Sequence, residues 1–247
     1  LAAIMNSTPA RMADWVDPLN ETMRTFEIST PKRIAAFLAN VRAETLGLSA
    51  NWLTEHTGWN DPALRRVGNF NRLNLRNPME RAVYDGYLDG TLGNGASRGE
   101  RQANYAYANF DGNGNEASGD GYRYRGRGVL QITRRGGYER ASNGGTRGNA
   151  GREQIPGLNA IYGTDYDLVN RPEAAETDYT LAARMGAWYW KYGAAPVYGN
   201  LNSVTDRTNR TDEQNFRRTA QGVKGSVDDE RVQTWHQVSN KIYDESV

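Results

Sequence analysis

Residues 112–138 read GNGNEASGDGYRYRGRGVLQITRRGGY, and this stretch sets how the rest of the chain is read. Glycine costs a helix interior about 1 kcal/mol relative to alanine, so a run this rich in it does not continue a helix. The alternation and β-branched residues between Tyr122 and Thr133 predict a short strand or hairpin. In such a strand Gln131 and Thr133 share one face, with Leu130 and Ile132 on the other.

On both sides of this stretch the pattern turns helical. Thr30-Pro31 reads as an N-cap followed by proline at the first helical position, where its missing N–H costs nothing. The apolar stripe that follows is Ile34, Phe37, Leu38, Val41 and Thr45, with Gly47 as the stop. Asp17-Pro18 reads as the same device, with Leu19, Met23 and Phe26 inward. Asn77-Pro78 opens a third helix carrying Val83, Tyr84 and Tyr87. A short helix is expected near 101–109 and a loop over 144–157. From Pro172 a long helix is expected through Leu181, Met185, Trp188 and Tyr192 to Gly193. Two closing helices follow near 212–220 and 228–243, the second with Val232, Trp235, Val238 and Ile242. With no internal repeat and no dividing linker, these 247 residues read as one mainly α domain with a small β element.

Composition narrows the chemistry. Thirty basic residues against 29 acidic give +1, which favours no nucleic-acid partner. Only four of the basic residues are lysines, so the set is dominated by 26 arginines. The guanidinium fork binds carboxylates bidentately and lies flat on rings. Zero cysteines remove disulfides and thiolate metal sites, and two histidines, His56 and His236, leave little for a metal centre or a Ser-His-Asp triad. Asp111-Gly-Asn-Gly-Asn115 imitates the start of a calcium loop, but Glu116 stands where the sixth-position glycine belongs and Tyr122 where the twelfth-position glutamate does. No metal or cofactor is expected. No apolar run reaches 18 residues, and the first dozen residues lack a signal-peptide pattern. The expectation is a monomer made in a reducing cytoplasm that acts on a cell wall after release, or is carried in a virion.

Glu44 is the conspicuous acid. On a helical wheel it falls about 20° from Phe37 and about 60° from Val41, at the edge of the buried stripe. Partial burial favours the protonated carboxyl, the form that can donate a proton. A boundary glutamate paired with Arg33 or Arg42 would account for the same position.

The motifs resemble glycoside hydrolase family 19, the chitinase-like enzymes, and especially the bacterial and phage members that cut peptidoglycan. Residues 37–47, FLANVRAETLG, match the family's acid-bearing helix, with Ala43 where many relatives have histidine. Residues 116–133 match its most recognisable run, and residues 134–138 depart from it, with Gly137 in place of a cleft asparagine. Residues 221–231 resemble its C-terminal segment more loosely. The resemblance is weakest over 61–102, where an inserted lobe is expected. It implies a lysozyme-like, two-lobed helical fold whose β element lines a glycan cleft, and an inverting mechanism. Glu44 is then the general acid and Glu55 the base, with Asp61 in reserve. An inverting pair stands about 6.5–9.5 Å apart to admit a water.

The same resemblance makes Thr133 a positioner of that water and Gln131 a sugar contact. Tyr122, Tyr124, Arg125, Arg127 and Tyr138 complete the expected substrate-binding set; Tyr122 and Tyr124 offer flat faces to sugar rings, and a core position would account for either equally well. Five arginines between 123 and 135 favour an acidic glycan, so the expected substrate is peptidoglycan, cut between N-acetylmuramic acid and N-acetylglucosamine. Chitin cleavage, a lytic transglycosylase and an inactive glycan-binding or virion module are the alternatives, the last kept open by Ala43 and Gly137.

Overall fold

The computed structural model describes residues 1–147, 153–194 and 198–244. It is mainly helical, with one two-stranded antiparallel sheet made of Gly145–Arg147 and Glu153–Ile155. Gly145 pairs with Ile155, Thr146 with Gln154 and Arg147 with Glu153. The expected loop over 144–157 is therefore corrected. Two strands of three residues are too short to show a period in sequence. The chain divides into two compact units. The first comprises residues 1–53, 127–132 and 140–247, and the second residues 54–126 and 133–139. The expected lobe at 61–102 falls inside the second.

The first unit is built on the Pro31–Thr45 helix. Thr30 caps it by accepting the Arg33 N–H at 3.3 Å. Every residue from Ala35 to Val41 is buried, so the helix is enclosed rather than amphipathic. The Asp229–Asp244 helix packs along it, and Phe37 meets the Trp190 ring edge-on at 5.5 Å. At its end Leu46 and Gly47 both turn left-handed (φ 47° and 76°), and a Cβ on Gly47 would lie 2.2 Å from the Met5 carbonyl oxygen. Glycine is required there both by φ and by the close approach.

The Asp17-Pro18 expectation is corrected. The helix starts nine residues earlier and runs Pro9–Thr25, with Thr8 as N-cap and Pro18 inside it. Proline removes one helical hydrogen bond. Burial of Trp15, Leu19 and Thr22 on the same face, with Trp15 stacked on Tyr179 at 4.5 Å, holds the helix through that defect. The long helix expected from Pro172 is likewise interrupted. Ala174–Thr177 ends at Asp178, whose side chain accepts the Leu181 N–H at 2.9 Å and starts Tyr179–Trp188, which runs into a π turn at Tyr189–Gly193.

The second unit gathers Leu64, Phe70, Tyr84, Tyr87, Ala106 and Tyr107 into its core, with Trp59 and Tyr105 packed against it. Pro78–Asp89 and Arg98–Ala106 are its main helices, and Asn77 and Ser97 cap them.

Candidate functional site

The glycine-rich run at 112–138 does not fold as a hairpin. Asp120–Arg123 forms a helical turn. Arg127 and Ile132 then exchange backbone hydrogen bonds at 3.0 and 2.9 Å, closing a tight turn between them. Gly128 (φ 77°) and Gln131 (φ 54°) are both left-handed in that turn, which breaks the period-two alternation. The shared strand face expected for Gln131 and Thr133 is corrected on that ground. The calcium-like loop turns its side chains to the backbone: Asn113 donates to the Tyr107 carbonyl at 3.0 Å and accepts the Arg135 N–H at 2.8 Å.

Within the second unit, Glu55 is the best-defined carboxyl. Its backbone N–H donates to the Gly126 carbonyl at 2.8 Å, and the Gly126 N–H returns a bond to Glu55 Oε2 at 2.9 Å. The Tyr107 hydroxyl donates to Oε1 at 2.6 Å. Burial pushes the Glu55 carboxyl above its usual range, opposed by those two hydrogen bonds and by the positive charges of Arg125 and Arg134. Burial wins, so this carboxyl holds its proton to higher pH than a free glutamate. Burial and the neighbouring Glu55 also push the Tyr107 phenol well up, which keeps it a donor.

Asp61 sits in a contrasting place. It is half-exposed, bound by Arg65 and the Tyr84 hydroxyl, and these bonds hold it below the ordinary carboxylate range. Tyr122 is half-buried beneath the Arg125 guanidinium, which lies 4.1 Å from the ring centroid and donates to the Tyr122 carbonyl at 3.0 Å. Thr133 is half-buried beside this segment.

Within the first unit, Glu44 occupies the stripe edge, its side chain 15% exposed. Its carboxylate accepts a hydrogen bond from Arg231, which also donates to Asn40 Oδ1 at 2.9 Å. The partners considered from sequence are engaged elsewhere: Arg33 binds Asp206 and the Glu27 carbonyl, and Arg42 binds the Ile4 carbonyl and Gln237. Arg231 and Asn40 are themselves buried, so Glu44 is held by a polar pair inside the unit. Gln131 donates its amide to the Gly128 carbonyl at 2.9 Å and to the Trp52 carbonyl at 3.2 Å. Trp52, 40% exposed and bonded to Gln131 through its backbone carbonyl, is a candidate that the sequence reading misses. A tryptophan so soon after the acid-bearing helix is the signal that could have found it.

Three expected contacts are corrected. Tyr124 and Tyr138 are 3% and 0% exposed, and the Tyr138 hydroxyl donates to the Arg125 carbonyl at 2.6 Å. They are core residues that hold the run in shape and offer no face to a sugar. Arg127 is 3% exposed and bound to Glu176 at 2.6 Å, so its guanidinium is committed to the first unit's interior.

No protein-family model matches the chain. Over 107 residues it is 33% identical to a glycosyl hydrolase family 19 domain-containing protein of Haemophilus influenzae, a stretch covering 43% of each chain. The match thus spans less than half the length of that relative. Among solved structures, chitinase C from Streptomyces griseus is 17% identical with a TM-score of 0.49, covering 98% of this chain and 89% of that one. A glutamate-to-glutamine mutant of chitinase C has the same identity and a TM-score of 0.46, covering 98% and 78%.

Proposed function

We propose that this chain, related to glycosyl hydrolase family 19 over those 107 residues, is a glycoside hydrolase acting on a β-1,4-linked N-acetylhexosamine polymer. The observation that carries the reading is the carboxyl of the half-buried Glu55, hydrogen-bonded on both oxygens and gripped by Gly126 of the family-like run. A carboxyl with a raised pKa held by fixed donors suits acid–base chemistry at a glycosidic bond. Glu44 is the second assigned carboxylate, supported by its motif and by its hold on Arg231.

In the favoured reading Glu44 protonates the leaving oxygen and Glu55 activates water, with Thr133 positioning that water and Gln131 and Trp52 contacting sugar. The raised Glu55 pKa supports a second reading in which the two roles are exchanged. A pH–rate profile separates them. If Glu55 is the base, activity falls as pH drops through its raised pKa. If it is the acid, activity falls as pH rises through the same value.

The finer proposal is that the polymer is peptidoglycan and the enzyme a muramidase of the endolysin kind. The arginine-rich run supports an acidic glycan. Mass spectrometry of soluble products from purified peptidoglycan, with colloidal chitin in parallel and Glu44→Gln as control, is the test. Reducing muramic acid ends support a muramidase, whereas products from chitin alone mean a chitinase. Anhydro-muramic ends mean a transglycosylase, and binding without any fragments means a binding module.

A further inference from the structure

The first unit contains a pocket of about 330 Å³ whose walls include Arg42, Lys224, Asp228, Glu230, Arg231 and Thr234. That volume lies within the range of small-molecule sites. Three features of its wall ask for an anionic oxygen.

Arg231 is 3% exposed, and although its terminal nitrogens bind Asn40 and Glu44, its Nε–H finds no acceptor among the described residues. A buried donor left without a partner is costly and rare in folded proteins. Arg42 is half-buried, and among the described residues its guanidinium bonds to neutral acceptors, the Ile4 carbonyl at 3.1 Å and Gln237 Oε1 at 2.9 Å. Burial alone draws its guanidinium below the ordinary value, with no carboxylate to offset it. Lys224 brings a third cation, 3.9 Å from Asp228 and about half exposed. Of the two acids on the wall, Asp228 accepts the Arg231 backbone N–H at 2.8 Å and thereby starts the last helix. Glu230 is exposed.

We propose that this pocket binds a carboxylate carried by the glycan, the lactyl group that distinguishes muramic acid from glucosamine, and so selects the acidic sugar. Arg42 and Lys224 supply the charge, and the Arg231 Nε–H supplies a directed hydrogen bond. Arg231 also holds Glu44, so the recognition element and the assigned acid share one guanidinium. The identity of the ligand rests on the glycosidase reading; the anion preference of the pocket does not.

The test is an NMR titration of the isotope-labelled full chain with N-acetylmuramic acid, N-acetylglucosamine and sodium lactate, read at the Arg231 Nε and at the Gly47 and Thr234 amides. N-acetylmuramic acid is expected to shift these signals and N-acetylglucosamine to leave them in place. Lys224→Gln should weaken the titration several-fold and Arg42→Gln about tenfold. Equal shifts from the neutral sugar, or none from muramic acid, overturn the proposal. Shifts from lactate as strong as from muramic acid overturn the assignment to the glycan and leave a general small-anion site. Digestion supplies a separate readout: Lys224→Gln should slow peptidoglycan cleavage several-fold and spare chitin oligosaccharides. If the wild type cleaves neither polymer, the glycosidase reading fails while the titration still decides the pocket.

Discussion

The two units solve the same problem, keeping carboxylates in a folded interior, with different chemistry. The first surrounds its central helix with apolar and tryptophan packing and admits Glu44 through a buried arginine. The second builds much of its core from tyrosines and points three of their hydroxyls at acids: Tyr84 at Asp61, Tyr87 at Glu116 and Tyr107 at Glu55. An arginine brings a full charge and demands a partner; a phenol brings only a dipole. The difference shows at Asp61 and Glu55. Both receive a tyrosine, but Asp61 also has Arg65 and is pulled down, whereas desolvation of the Glu55 carboxyl outweighs its donors and pushes it up.

The largest effects should come from the packed unit. Phe37→Ala should cost about 3–5 kcal/mol in urea unfolding, because the site lies on an enclosed helix that cannot collapse. A loss under about 1 kcal/mol would mean the helix is less tightly held than its burial implies. Arg231→Met should also cost about 3–5 kcal/mol by stranding Glu44, and adding Glu44→Leu should restore much of it. If the double variant is no better than the single, the ion pair is not what the arginine contributes.

Tyrosine-to-phenylalanine changes in the other unit should be milder. Tyr87→Phe, which removes the 2.7 Å bond to Glu116, should cost about 1.5–3 kcal/mol. Glu55→Gln should do the opposite of a usual carboxylate deletion. The native carboxyl keeps its proton above the pH at which the unfolded one loses it, so wild-type stability falls as pH climbs from the ordinary carboxylate pKa through the raised one. The glutamine variant lacks that dependence. It should match wild type in acid, after allowance for the substitution itself, and gain on it towards neutrality; parallel pH–stability curves would count against a raised Glu55. The smallest effect is a shift of a profile. Tyr107→Phe removes a bond that favours the ionised form, so the activity limb due to Glu55 should move to higher pH.

What sequence makes legible is local. Thr30-Pro31 and Asn77-Pro78 read correctly as helix starts because cap, proline and stripe lie within a few residues. Asp17-Pro18 offers the same signal yet lies inside a helix, since burial of Trp15 and Leu19 outweighs one lost hydrogen bond. Gln131 has the pattern of a strand residue, but Gly128 and the Arg127–Ile132 bridge bend it into a turn. Glu55 stands out in sequence only through a resemblance, with Asp61 in reserve, and its surroundings depend on Tyr107 and Gly126, 52 and 71 residues away. Arg127 has the look of a glycan contact because its partner, Glu176, lies 49 residues further on. Long-range pairing decides which polar groups are free, and no local pattern encodes it.

The packing of Pro31–Thr45 on Asp229–Asp244 has a consequence for how the chain is born. Asn40 and Arg231 are 191 residues apart in sequence. At about 5–20 residues per second, a ribosome takes roughly 10–40 s to deliver the second after the first. Throughout that interval a helix destined for full enclosure stands without the partner that covers it, so this protein should lean on holdase chaperones during synthesis more than its length suggests.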